Sequence, residues 1–295
     1  MDRKLFKAAT SGDARFVREA REALQREVTV DGNSVLHIAA KLGHVEHAQA
    51  LLLKQPYLMK LSNSKGDTPL HCAAAAGHVA IVELFVAHMV LSKNPVISEL
   101  CGEPWMMNDA GNTALHEATR NGHLAVVEAL MSAAPDLANV ENNTGVSALY
   151  MAAERIGGDC QGIAELFDCL GRRTSRPDST ACSCTSELWY VPLLDITKMI
   201  LDKNPNSVRQ QDATKSTPLH FAAANGDIRM VQLLLQSDAK AAYIRDQDGF
   251  STIHVAANAG HLKIIEQVLE YCPDSMGLKN NTGRNFFHVA VEKRI

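Results

Sequence analysis

Thr68-Pro69-Leu70-His71-Cys72-Ala73-Ala74 decides the reading of this chain, because it keeps coming back. Ser34-Val35-Leu36-His37-Ile38-Ala39-Ala40 precedes it, and Thr113-Ala114-Leu115-His116-Glu117-Ala118-Thr119 and Ser147-Ala148-Leu149-Tyr150-Met151-Ala152-Ala153 follow. The second half repeats it from Thr217, from Ser251 and from Asn285. A weak echo, Thr180-Ala181-Cys182-Ser183-Cys184-Thr185, falls between Ser147 and Thr217, with Cys for Leu and Ser for His. The starts at 34, 68, 113, 147, 180, 217, 251 and 285 are separated by 34, 45, 34, 33, 37, 34 and 34 residues. Each position has a physical reason. The leading Ser or Thr caps a helix, and Pro69 and Pro218 sit at the first helical position, where no donor is missed. Leu36, Leu70 and Leu115 supply apolar area, and the Ala pairs keep the helix slim. Gly43, Gly77, Gly122, Gly226 and Gly260 close it in a left-handed turn. A second amphipathic run follows, such as Val126-Val127-Glu128-Ala129-Leu130, and then a turn-rich segment such as Asn63-Ser64-Lys65-Gly66.

A period near 33 residues carrying T-P-L-H-x-A is the signature of the ankyrin repeat. The predicted fold is therefore all-α, a solenoid of helix-turn-helix units with β-hairpin fingers. It has about nine repeats, counting a partial N-terminal cap and a truncated C-terminal one. Leu5-Phe6-Lys7-Ala8-Ala9-Thr10-Ser11-Gly12-Asp13 matches the register without a finger before it and reads as the cap. The expected organisation is one domain over 1–295. Its units are 1–30 (cap), 31–62, 63–107 with an insertion, 108–141, 142–175, 176–211 (degenerate), 212–245, 246–279 and 280–295. Helices this short persist only because stacking buries a shared apolar seam. By that logic the ending at Glu292-Lys293-Arg294-Ile295, before a second helix, reads as that of a fragment or a shortened product. The two irregular stretches hold Trp105 and Trp189 and are read as loops on one face.

Composition narrows the function. With 29 basic and 33 acidic residues the net charge is −4, so the basic footprint of a nucleic-acid binder is missing. Seven cysteines scattered over 295 residues do not make a secreted disulfide framework. No signal-peptide core opens the chain, and the most apolar tract, Val79 to Leu91, is too short and too interrupted to span a bilayer. Of the twelve histidines, six (37, 71, 116, 220, 254, 288) are the motif histidine and four (44, 78, 123, 261) follow the helix-ending Gly. Their spacing belongs to the repeat and not to a ligand set. Cys160, Cys169, Cys182 and Cys184 contain no C-x-x-C pair, so a four-thiolate zinc site is disfavoured. Neither a glycine-rich phosphate loop nor a G-x-S-x-G elbow occurs, and the chain is read as a non-enzyme without a cofactor.

What remains is recognition of other proteins through the concave surface formed by the fingers and the ends of the inner helices. The register places Lys41, Leu42, Arg120, Asn121, Glu154 and Arg155 on the helices. On the fingers it places Lys65, Asp67, Asp109, Gln247, Asp248 and Phe250. Leu42 and Phe250 are the apolar members, expected to be exposed and able to anchor a partner.

The stretches Gly111-Asn112-Thr113-Ala114-Leu115-His116-Glu117-Ala118-Thr119-Arg120-Asn121-Gly122-His123 and Ser251-Thr252-Ile253-His254-Val255-Ala256-Ala257-Asn258-Ala259-Gly260-His261 resemble the plant ankyrin proteins of the accelerated-cell-death type. Ser147-Ala148-Leu149-Tyr150, Cys272-Pro273-Asp274-Ser275 and the insertion before Thr113 strengthen the likeness. The resemblance implies cytosolic repeats, normally followed by a Pro-Gly-Gly segment and transmembrane helices, acting in defence and stress signalling at the plasma membrane. It allows self-association among family members. This chain holds no span of its own, so the alternative is a cytoplasmic scaffold or competitor that binds the partners of a longer protein. No catalytic residue is implied.

Overall fold

The structure is a computed structural model, and it describes residues 3–12, 28–91, 106–155 and 193–293. Contacts group the chain into two units, Met1–Ala148 and Leu149–Ile295, built from the same parts. The first holds α1 (Arg3–Ser11), α2 (Val35–Leu42), α3 (Val45–Lys54), α4 (Pro69–Ala76), α5 (Val79–Leu91), α6 (Ala114–Arg120) and α7 (Leu124–Ala133). At the boundary lies α8 (Ala148–Arg155). The second unit continues with α9 (193–203), α10 (Pro218–Ala224), α11 (Ile228–Ser237), α12 (Thr252–Ala259), α13 (Leu262–Tyr271) and α14 (Phe286–Lys293).

The motif explains the inner helices atom by atom. Ser34, Thr68, Thr113, Thr217 and Ser251 are N-caps, and the motif histidine stands at the third helical position. Each cap hydroxyl lies 2.8–2.9 Å from that histidine's Nδ1, which also accepts the cap's own backbone N–H. This is a capping box with imidazole in the place of the usual Glu or Gln. The remaining ring nitrogen reaches forward. In the first unit Nε2 of His37, His71 and His116 donates to the carbonyls of Asp67 (2.9 Å), Asn112 (2.9 Å) and Val146 (3.0 Å). In the second, His220 and His254 donate to Phe250 and Arg284, both at 3.1 Å. One side chain thus starts its own helix and ties down the next finger.

Packing follows. In the first unit α1 lies on α2, α2 on α4, α4 on α6 and α5 on α7; in the second, α10 lies on α12, α12 on α14 and α11 on α13. Leu36, Leu115, Leu219, Ile253 and the motif alanines at 39, 40, 73, 74, 222, 223, 256 and 257 are 0% exposed. Small side chains at those places let neighbouring inner helices approach closely. Gly77 has φ +79°, a left-handed conformation that suits Gly. It has a second reason to be Gly, since a Cβ there would lie 2.7 Å from the His123 ring of the following repeat. His123 Nε2 in turn donates to Ala75 O at 3.1 Å. The same ring-against-glycine fit recurs between Gly226 and His261.

Two features differ from expectation. Among the described residues the fingers are not hairpins of regular strand, and the one bridge is Glu141 with Ser147. Each finger is only about five residues long, and its Asn or Asp side chain takes backbone N–H groups that a ladder would use. Asn63 Oδ1, for example, accepts from Lys65 N and Asp67 N at 2.9 and 3.0 Å. Second, the outer helices run into single-turn 3-10 helices at Pro56–Lys60, Pro135–Asn139, Pro205–Arg209, Ala239–Tyr243 and Pro273–Gly277. Buried Leu58, Met59, Leu137, Ala138 and Val208 fix these turns to the core.

α8, at the start of the irregular middle, has a definite place in the second unit. Tyr150 stands where the other repeats have histidine, and its hydroxyl donates to Asp212 Oδ2 at 2.5 Å. Its ring packs on Phe221 with centroids 4.5 Å apart, and Asn225 Nδ2 reaches Ala153 O at 3.4 Å. α8 therefore meets α10 through the Tyr150–Phe221 and Ala153–Asn225 contacts, and the 3-10 turn after α9 packs against α10 and α11. The echo at Thr180–Thr185, its cysteines, and both Trp105 and Trp189 lie outside the described residues.

Candidate functional site

The twelve side chains expected at the recognition surface separate into those that hold the fold and those left over. Asp67 belongs to the fold. Its carbonyl accepts from His37 Nε2 and its Oδ1 accepts from Asn108 Nδ2 at 2.8 Å. Asn121 closes α6 by donating to Glu117 O at 2.8 Å. Arg120 pairs with Glu117 at 3.5 Å, and that carboxylate also accepts from Asn112 Nδ2 at 2.9 Å. Phe250 is half-buried instead of exposed. Its ring stands edge-on to His254 at 5.8 Å, and its carbonyl receives the His220 bond. The sequence assigned its exposure from finger position alone, without the histidine ring that covers it. For Glu154 and Arg155, at the end of α8, the side chains lie outside the described residues.

Lys41, Leu42, Lys65, Asp109, Gln247 and Asp248 are exposed. Their backbones are tied in: Lys41 O accepts from His78 Nε2, Lys65 O from Asp109 N, and Gln247 O from Asn281 Nδ2. Their side chains make no hydrogen bond or ion pair within the described residues. Leu42 keeps 45% of its surface in solvent, as its place predicts. In the first unit Lys41 and Lys65 border a groove of about 400 Å³ between the fingers and the inner helices, lined also by Cys72, Ala75 and Ala76. A second groove of about 300 Å³ runs past Asp248, Phe250 and Arg284 in the second unit. Both fall in the lower range of natural ligand clefts.

The electrostatics oppose a catalytic reading of the buried groups. Burial pushes the Cys72 thiol up to about 12, against the nearby charges of Lys41 and Lys65, so it is no thiolate nucleophile at neutral pH. Burial lowers the pKa of His37, His71, His220 and His254, and takes His116 to about 4, despite the carbonyl each ring faces. These rings stay neutral and donate from Nε2. Among the described residues no group of three or more His, Cys, Asp or Glu is placed to hold a metal ion. No described helix is long and apolar enough to cross a membrane.

Known proteins agree with this architecture. The chain matches the ankyrin-repeat family over residues 5–94, 86–176 and 190–275. It is 30% identical over 265 residues to protein ACCELERATED CELL DEATH 6 of Arabidopsis thaliana, covering 84% of this chain and 39% of that protein. It is 33% identical over 212 residues to a probable E3 ubiquitin-protein ligase, XBOS32, of Oryza sativa subsp. japonica, covering 72% of this chain and again 39% of the relative. The chain thus spans about two fifths of the length of both. Among solved structures, the ankyrin repeat domain of Bcl-3 superposes with a TM-score of 0.63 at 23% identity, over 88% of this chain and 95% of that one. That likeness concerns the fold. The chain belongs to the ankyrin-repeat family, and within it is similar to the accelerated-cell-death type of plant protein.

Proposed function

We propose that this chain is a non-catalytic recognition module that binds other proteins through its fingers and inner-helix ends. We further propose that it serves as the cytosolic arm of a plant membrane protein in defence or stress signalling. One observation carries the first part. The residues that repeat are committed to junctions between repeats, while Lys41 and Lys65 at one groove and Asp248 at the other leave their side chains unbonded, and Leu42, Asp109 and Gln247 are exposed nearby in sequence. Likeness to the Arabidopsis protein supports the second part. In this reading 1–295 acts as one recognition domain with the unit boundaries given above, and the Tyr150–Asp212 contact supports a junction between the repeats that hold these two residues.

Affinity purification of the tagged chain from plant tissue tests the module, beside a variant with Lys41, Lys65 and Asp109 changed to Ala. Specific partners lost by the variant, with its melting midpoint unchanged, are expected. Equal recovery on both chains removes the groove from the reading. Fractionation of the native gene product tests the membrane arm. Recovery with the plasma membrane is expected, and a product found only in the soluble fraction ends that part.

A further inference from the structure

We infer that the face formed by α14 and the finger at 280–284 docks an ankyrin-type repeat carried by a second polypeptide. The inference rests on the recognition reading above and names a class of partner for the second unit.

Within each unit, adjoining repeats meet through one recurring set of contacts. The residue before the finger Gly accepts a backbone N–H of the next finger through its carbonyl. Asp31 accepts from Ser64 (3.0 Å), Lys65 from Asp109 (3.1 Å), Ala110 from Asn143 (3.2 Å) and Asp248 from Asn281 (3.3 Å). The Gly makes room for that same residue, since a Cβ on Gly32, Gly66, Gly111 or Gly249 would fall 2.4–2.9 Å from it. The motif histidine donates from Nε2 to a carbonyl of the next finger, as His220 does to Phe250 and His254 to Arg284. The next inner helix then covers the motif Leu or Ile and the alanines behind it.

At α14 the near half of such a junction is built and faces solvent. Thr282 O receives no N–H among the described residues, and a Cβ on Gly283 would meet nothing within 4 Å. Nδ1 of His288 is bonded to its cap Asn285, as in the other repeats, while Nε2 has no acceptor among the described residues. Phe287 and Val291 are 55% and 75% exposed, whereas Leu219 and Ala223, or Ile253 and Ala257, are 0% exposed at the same places. A free carbonyl, an open notch, a ring N–H and an apolar strip stand in the order in which the other junctions use them. Their complement is the leading side of a repeat of this class: a finger amide, a finger carbonyl and a slim inner helix. The occupant needs no covalent link to α14, because the two sides of a junction, such as His37 and Asp67, already lie 30 residues apart. A second copy of this chain is a poorer match, since its finger amides at Ser64, Asp109, Asn143, Gln247 and Asn281 are already taken.

Photo-cross-linking tests the inference. The 295-residue chain, with p-benzoylphenylalanine in place of Lys293 in the last turn of α14, is mixed with plant-tissue extract and irradiated. The joined peptides are then sequenced by mass spectrometry. Adducts are expected on the finger or the capped inner helix of an ankyrin-type repeat in another polypeptide. Gly283→Ala fills the notch, and Val291→Lys puts a charge on the apolar strip. Each is expected to lower the adduct yield about tenfold, the size of one overpacked or unpaired contact. Both positions face solvent in the free chain, and a thermal melt shows whether each variant is folded. The same cross-linker at Leu53, 74% exposed on α3 in the first unit, is expected to give none of these adducts. Isotope-labelled chain in the mixture identifies joining to a second copy. Adducts only with a second copy, adducts only on proteins without the repeat, no adducts, or a yield indifferent to either variant would each overturn the inference. In those cases partners lost from the Lys41, Lys65 and Asp109 variant in the affinity purification keep the recognition reading standing. Extract that yields no partner by either route ends both.

Discussion

At the residue scale, two side chains do most of the joining: the motif histidine and the histidine after glycine. Gly77→Val places a β-branched residue at φ +79° and drives a Cβ to 2.7 Å from the His123 ring. The expected cost is about 2–4 kcal/mol, from backbone strain and overpacking together, read as a lowered urea midpoint. A midpoint equal to the parent's would mean that the His123 ring moves aside freely. The motif histidines also set a pH dependence. Their folded pKa values lie below the unfolded value of about 6.5, so on acidification the unfolded chain takes up protons first. Their stability contribution is complete above about pH 6.5 and declines below it, for His116 down to its folded value of about 4. At about pH 5 His116 alone accounts for a loss of ~2 kcal/mol. Urea titrations at several pH values should show stability falling across that window, with a shallower fall in His116→Gln. Such residues were legible in the sequence because their chemistry is local: a cap hydroxyl and an imidazole three positions on need no knowledge of the rest of the chain. The fate of Asp67 was not legible, because the Asn108 that engages it lies 41 residues away across an insertion.

At the element scale, α8 shows how an irregular repeat keeps its place. Tyr150 is 2% exposed, and its hydroxyl bonds the carboxylate at the head of the next described finger. Burial pushes Asp212 up. Hydrogen bonds from the Tyr150 and Thr214 hydroxyls and from the Ser216 and Thr214 amides outweigh it, so the carboxyl titrates below its usual range. Tyr150→Phe keeps the ring on Phe221 and removes that bond. The expected loss is about 1.5–3 kcal/mol, as for a hydrogen bond to a charged group, in denaturant unfolding near neutral pH. The loss should shrink as acid protonates Asp212. A loss of the same size well below the Asp212 pKa would mean the hydroxyl matters for another reason. From the sequence, this helix was legible as a member of the series, but its neighbour was not. The motif names the position that reaches forward, and only the fold says which finger receives it. The 3-10 turns had a signal in Pro56, Pro135, Pro205 and Pro273, each following an outer helix, but proline alone does not separate a tight turn from a loop.

At the scale of the whole molecule, equivalent positions differ by what lies over them. Ala257 in α12 is 0% exposed, whereas Val291, at the same register in α14, is 75% exposed. Ala257→Val should cost about 1–3 kcal/mol by overpacking, while Val291→Ala should stay within about 0.5 kcal/mol. Melting both variants beside the parent checks the pair, and equal shifts would contradict the registers assigned to α12 and α14. Fold class was legible because a period announces itself seven times over. The recognition surface was legible only as a list of places, since the pattern that identifies the repeat says nothing about residues outside it.

The ring-and-notch fit between His123 and Gly77 carries a consequence for how such a chain changes over generations. The modules with His44 and His78 bear a plug on one flank and, in Gly43 and Gly77, a matching dent on the other, so gain or loss of such a whole module leaves fitting surfaces at the scar, whereas a cut through one strands a plug without its dent. Lys41 and Lys65 use neither flank through their side chains, so a change there leaves the fit between modules intact.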